Sequence, residues 1–186
     1  MISTSLHYAT VWEAIADRIP DAPALRHGAL VRSWTEFEAR SARLAAALQE
    51  HGIGRGHGVA CYHYNCPEYF EAFFGPLKLR AVPCNINYRY GSNELVALLE
   101  NSEAKVLFFD AALRDNVAAI ADRARGVRLF VEISGDSECP IPGAYAYEEV
   151  LSGASPASRR ARTSSNDCSS TSLMSCSWMP AARPRA

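Results

Sequence analysis

Four short apolar runs alternate along this chain with segments of helical period: GVACYHY (58–64), AVPCNI (81–86), KVLFFD (105–110) and VRLFVEISG (127–135). Strands that are apolar at nearly every position are buried on both faces, and the helices between them return the chain to the same end of the sheet. The pattern predicts an α/β fold, a mostly parallel layered sheet with helices on both faces.

The helices carry their own signals. A first one is expected over 11–19, with Val11, Trp12, Ile15 and Ile19 on one stripe, stopping at Pro20 because proline has no N–H for the helical ladder. ALRHGALVRSW reads as a hairpin turning near Gly28. Thr35 and Glu38 form the pattern of a capping box, with Phe37, Leu44 and Leu48 on one face and Gly52 just past the end. Pro67 comes after Asn65 and Cys66 at the start of the next helix, where its missing donor does no harm. NELVALLENS and DAALRDNVAAIADRARG are further helices, the latter ended by Gly126, and YAYEEVLSG closes the ordered body.

The loop NINYRYGS lies at the carboxyl end of the AVPCNI strand, and open α/β sheets bind ligands at that end. Two readings stand for it. Asn87, Tyr88 and Arg89 form a substrate-side or domain-contact loop, or Tyr88 and Tyr90 pack the loop while Arg89 is solvated. Asn85 and Asn87 are expected to satisfy loop backbone groups. His51 and His63 have no acid or nucleophile at motif spacing and read as packing or surface residues.

Charge and cysteine usage narrow the classes further. The formal net charge is −1, so no bulk field points to nucleic acid or an anionic membrane. From Ala154 onward five arginines stand against one acid, +4, which leaves −5 for residues 1–153 by subtraction. No apolar run reaches the roughly 20 residues of a membrane helix, and the amino terminus has acids where a signal peptide would be apolar, so a cytoplasmic location is expected. The six cysteines (Cys61, Cys66, Cys84, Cys139, Cys168, Cys176) show no CxxC pair and no histidine at zinc spacing, and read as free thiols with no metal.

Three segments carry a family resemblance: the DAPAL opening before the hairpin, SWTEFEARSARLAAALQEHGIGRGHGVA, and NCPEYFEAFFGPLKLRAVPCNINYRYGSNELVALLENSEAKVLF. In order and spacing the chain resembles the N-terminal part of the adenylate-forming superfamily, the AMP-dependent acyl-CoA synthetases and ligases. NYRY with EL and LL after it resembles the branch that activates fatty or other carboxylic acids. The resemblance implies ATP, Mg²⁺ and CoA as reactants of the complete enzyme, with a carboxylic or fatty acid converted through an acyl-AMP to its CoA thioester. It implies an incomplete, N-terminal portion of that fold over residues 1–153. It also implies a Gly-rich phosphate loop ending in Pro-Lys-Gly shortly after ARTSSND, because only glycine lets backbone N–H groups approach phosphate closely.

The residues at that place are CSSTSLMSCSWMPAARPRA, and no glycine or lysine occurs after Gly153. No catalytic or cofactor-binding residue of the family is therefore carried over, and the fragment is expected to bind no cofactor and to be inactive alone. Residues 154–186 are expected to be disordered, from a composition that cannot offset ordering entropy. An out-of-frame origin near Asp167 is one explanation, since codons for Asp-Cys-Ser-Ser-Thr read two nucleotides later permit an apolar strand ending in Tyr. The alternatives are a non-catalytic or split-enzyme subunit whose basic Arg/Ser tail binds a partner or nucleic acid.

Three residues depart from the family pattern. Pro76 lies inside a helix, where proline costs ~3 kcal/mol unless the helix kinks, and Gly75 beside it favours a kink. Arg80 stands where a glycine would end that helix in the left-handed region, at a strain of ~1 kcal/mol. Gly91 replaces a threonine cap before Glu94. A partial sheet would also expose an apolar edge or face, so self-association is expected.

Overall fold

The computed structural model describes residues 7–135, 139 and 141–153. Helix α1 (Tyr8–Arg18) leads into an antiparallel hairpin, β1 (Pro23–His27) and β2 (Leu30–Ser33), whose turn places Gly28 at φ 58°. Next along the chain come α2 (Trp34–Glu50), β3 (Gly58–Tyr62), α3 (Pro67–Lys78), β4 (Val82–Asn85), α4 (Ser92–Asn101) and β5 (Ala104–Asp110). A 3₁₀ turn (Ala111–Leu113) precedes α5 (Arg114–Ala118), β6 (Leu129–Ile133), β7 (Ala144–Ala146) and α6 (Tyr147–Gly153). The five strands β3 to β7 form one sheet in the order β4-β3-β5-β6-β7, with every neighbouring pair parallel.

Burial on both sides explains the unbroken apolar runs. Val59 and Cys61 of β3, Val106 and Phe108 of β5 and Val131 and Ile133 of β6 face Leu44, Leu48, Ala72, Tyr147 and Val150 from α2, α3 and α6. The alternate residues Ala60, Tyr62, Leu107 and Phe109 face Leu95 and Leu99 of α4, Val117 of α5 and Ile120. A third cluster joins Ala9, Phe37 and Phe74, with Trp12 set 4.9 Å from the Phe74 ring centroid and 5.8 Å from that of Phe37.

Three expectations are corrected. In α1, Val11 and Ile19 are exposed and burial falls to Ala9 and Ala16, because Trp12 wedged between two phenylalanines sets the helix rotation. The α2 capping box is Ser33 with Glu36, not Thr35 with Glu38: Ser33 Oγ accepts from the Glu36 amide at 3.2 Å and the Glu36 carboxylate accepts from the Ser33 amide at 2.7 Å. The S/T-x-x-E pattern occurs twice, offset by two, and the end of β2 at Ser33 selects the earlier register; Thr35 instead donates to the Pro20 carbonyl and Glu38 accepts from buried Lys78. The helix expected up to Gly126 breaks after Ala118 into turns such as Ile120 N–H to Val117 O, which bring both Val117 and Ile120 into the core. The helix expected to hold Pro76 in its interior is present, and α3 runs through Pro76 to Lys78. Proline leaves the Ala72 carbonyl without its helical donor, and the Cys61 thiol lies 3.9 Å from it. Gly75 serves a close approach: a Cβ there would lie 3.0 Å from Leu44.

The end of α3 agrees with the sequence reading. Arg80 N–H donates to Leu77 O, Ala81 N–H donates to Pro76 O, and Arg80 takes φ 60°. The same double bond closes α2, where Gly52 N–H meets Gln49 O and Ile53 N–H meets Leu48 O with φ 73° at Gly52. The motif needs a left-handed residue, and α3 supplies an arginine for it. Along edge strand β4, Val82 and Ile86 donate inward to His57 and Cys61, so Pro83 turns a nitrogen without hydrogen to the open side. The expectations for residues 154–186 lie outside the described residues.

Candidate functional site

The carboxyl ends of β3, β4 and β5 meet at one rim. β3 ends in Tyr62 and continues through His63 and Tyr64, β4 runs into the loop 86–91, and β5 passes through Asp110 into the 3₁₀ turn. Asn87 is exposed and forms the turn expected of it: its Oδ1 accepts from Arg89 N–H at 3.0 Å and its carbonyl from Tyr90 N–H at 3.0 Å. Tyr88 is half-buried, its ring centroid 4.6 Å from that of Tyr64, and the exposed Arg89 guanidinium lies 4.9 Å from the Tyr88 centroid. Such a stack orders a guanidinium while its N–H edges stay open to an anion.

Two residues of this rim escaped the sequence reading. The buried Tyr62 hydroxyl donates to Tyr90 O at 2.6 Å and accepts from Asn116 Nδ2 at 3.0 Å. A tyrosine in a strand buried on both faces must find a partner for its hydroxyl, and that requirement was the available signal. Asn116 itself left no signal in the helical pattern.

The histidines and cysteines play other parts. His63 is 4% exposed, its Nδ1 lies 2.8 Å from Tyr64 O, its ring meets Tyr69 edge-on, and burial pulls its pKa below the ordinary value. His51 caps the end of α2 with its ring 5.5 Å from Tyr145. Cys61, Cys66, Cys84 and Cys139 are free thiols. Burial pushes Cys66 up to about 12 and Cys61 higher, so neither is a ready thiolate near neutral pH.

Polyphosphate and Mg²⁺ meet no fitting donor set among the described residues. Lys78 is buried between Glu13 at 2.7 Å and Glu38 at 2.5 Å, and Lys105 lies on β5. The left-handed glycines Gly28, Gly52, Gly56 and Gly143 are scattered among separate turns rather than gathered in one loop. No group of three His, Cys, Asp or Glu could hold a metal ion among these residues. A cavity of about 310 Å³ between α2 and α6 is flanked by Glu50 and Glu149, carboxylates that would repel phosphate. Among the described residues no helix is long and apolar enough to cross a membrane.

A parallel sheet covered by helices on both faces defines a layered α/β fold, and comparison with known proteins makes the class specific. A family model described as AMP-binding enzyme matches residues 12–167, and the chain belongs to that family. The medium-chain acyl-CoA ligase Mig of Mycobacterium avium is 33% identical, with 82% of this chain and 30% of that protein covered. A 3-oxocholest-4-en-26-oate–CoA ligase of Rhodococcus rhodochrous is 32% identical, with 82% of this chain and 28% of that protein covered. The crystal structure of an anthranilate CoA ligase in complex with anthranoyl-AMP shares the fold at a TM-score of 0.77 and 18% identity, over 84% of this chain and 30% of that one. The chain thus spans less than a third of the length of these relatives.

Proposed function

We propose that this chain supplies the scaffold of an ATP-dependent ligase that joins a carboxylic or fatty acid to CoA in the cytoplasm, with Asn87, Tyr88 and Arg89 on the substrate side. The observation that carries this is the stacked Arg89 on the rim of a parallel sheet, in a chain similar to acyl-CoA ligases over four fifths of its length. ATP, Mg²⁺ and CoA are then held by parts of a complete ligase other than the described residues. The described residues gather no donor set for polyphosphate or Mg²⁺, and no chemical step is assigned to them. Their part is to carry the sheet and to hold the Arg89 guanidinium against Tyr88, where it can pair with a carboxylate.

A chimaera tests this. Residues 1–153, joined to the remaining length of the Mycobacterium avium medium-chain ligase, should show acid-dependent ATP–pyrophosphate exchange. In it Arg89→Ala should raise KM for the acid about tenfold, as for loss of an exposed charged contact, and leave KM for ATP unchanged. A folded but inactive chimaera would contradict the scaffold role. An unchanged acid KM would contradict the role of the loop.

A further inference from the structure

We propose that Asn116 is a positioning residue for the 87–90 loop, acting through the Tyr62 hydroxyl as a latch between the β4–α4 and β5–α5 connections. The hydroxyl is fully used: its proton goes to Tyr90 O at 2.6 Å, with Tyr88 O farther off at 3.4 Å, and its lone pair takes the Asn116 amide at 3.0 Å. By occupying the oxygen's lone pair, the Asn116 amide supports the direction in which the hydroxyl donates to Tyr90 O. Without Asn116 the hydroxyl keeps its bond to Tyr90 O but loses the amide that holds its oxygen, and without the phenol the Tyr90 carbonyl loses a buried donor.

The other bonds of the loop cannot replace this one. Asn87 organises the turn from within, through Arg89 N–H and Tyr90 N–H, and does not tie it to the sheet. Tyr88 rests on Tyr64, itself 41% exposed, and packs against the buried cluster around Tyr62 and Ile86 through apolar contact, which is less directional than a hydrogen bond. Tyr62, by contrast, is 0% exposed and paired in register with Phe109 of β5, so the latch transmits the position of the rigid sheet to the loop. Asn116 reaches the same hydroxyl from α5, the helix that follows β5, 54 residues away in sequence. The latch rests on this geometry alone; its importance for the acid rests on the substrate-side reading of the loop.

Limited trypsin digestion of the full chain reads the latch directly, because Arg89 is the exposed cleavage point of the loop. Tyr62→Phe should speed cleavage after Arg89 about tenfold and Asn116→Ala severalfold, as expected when one buried hydrogen bond holds a local opening. The double variant should be no faster than Tyr62→Phe, since Asn116 acts through that hydroxyl. Cleavage after Arg43 on α2 should be unchanged in all three, which shows that each variant is folded. Should a variant fail that control, hydrogen exchange at the Arg89 and Tyr90 amides of Asn116→Ser, a smaller perturbation, gives the same comparison. Unchanged cleavage after Arg89, or a double variant that adds the two single effects, would overturn the proposal. In the ligase chimaera, faster cleavage with an unchanged acid KM would leave the latch standing and remove the substrate-side reading.

Discussion

Tyr147 donates its hydroxyl to the Glu71 carboxylate at 2.8 Å, joining α6 to α3 across 76 residues. Glu71 is fully buried and also receives Arg40 Nε at 2.9 Å and Arg32 at 3.3 Å, while Arg40 reaches on to Glu148 at the start of α6. One carboxylate therefore fastens β2, α2, α3 and α6 over a single face of the sheet. Replacing Glu71 with Ala should cost about 3–5 kcal/mol, because two guanidinium groups and a phenol would lose their shared acceptor. Urea denaturation monitored by circular dichroism checks this, and a loss below about 1 kcal/mol would show that water replaces the carboxylate.

Arg80 at φ 60° offers the opposite change. Arg80→Gly removes the left-handed strain and should raise stability by about 1 kcal/mol, seen as a rise in Tm of a few degrees. The equivalent Gly52→Ala at the end of α2, where φ is 73°, should lower stability by a similar amount. A destabilised Arg80→Gly would mean that the arginine side chain contributes more than its backbone strain removes.

Ser33 and Glu36 hold the amino end of α2 through reciprocal bonds. Ser33→Ala should cost about 1 kcal/mol. Ser33→Ala removes only the Oγ bond and leaves the Ser33 N–H to reach the Glu36 carboxylate, so the double replacement should cost about the sum of the single ones. Thermal unfolding of the three variants measures this directly.

His63 makes stability depend on pH with a definite sign. Burial lowers its folded pKa below the ordinary 6.5, so between those two values the unfolded chain binds the proton that the folded chain refuses. The contribution of His63 is complete above 6.5 and is lost as pH falls from 6.5 toward the folded value. His63→Asn should therefore flatten the decline in Tm between about pH 7.5 and 5.5 relative to the wild type. An identical decline in both proteins would place the titration elsewhere.

The strands were legible because burial on two faces writes an apolar run into the sequence, as at Phe108 and Phe109, whereas the left-handed Arg80 was legible only through the family resemblance, which places a glycine at that helix end. The cap of α2 was read two residues late, since the local pattern is degenerate and only the end of β2 resolves it. The loop of Asn87, Tyr88 and Arg89 was visible by its place after a strand, but its tether was not. Asn116 and Tyr62, like Glu71 and Tyr147, pair across dozens of residues, and such contacts leave no period or spacing to read.

On this account the chain carries the scaffold of an acyl-activating ligase and leaves the adenylation chemistry to other parts of the enzyme. ATP–pyrophosphate exchange by the purified 186-residue chain, with Mg²⁺ and a panel of medium-chain, long-chain and aromatic acids, tests it most directly. The expected result is no exchange above the acid-free background with any acid, from a protein that is folded by circular dichroism. Acid-dependent exchange that persists through purification to a single species would contradict it.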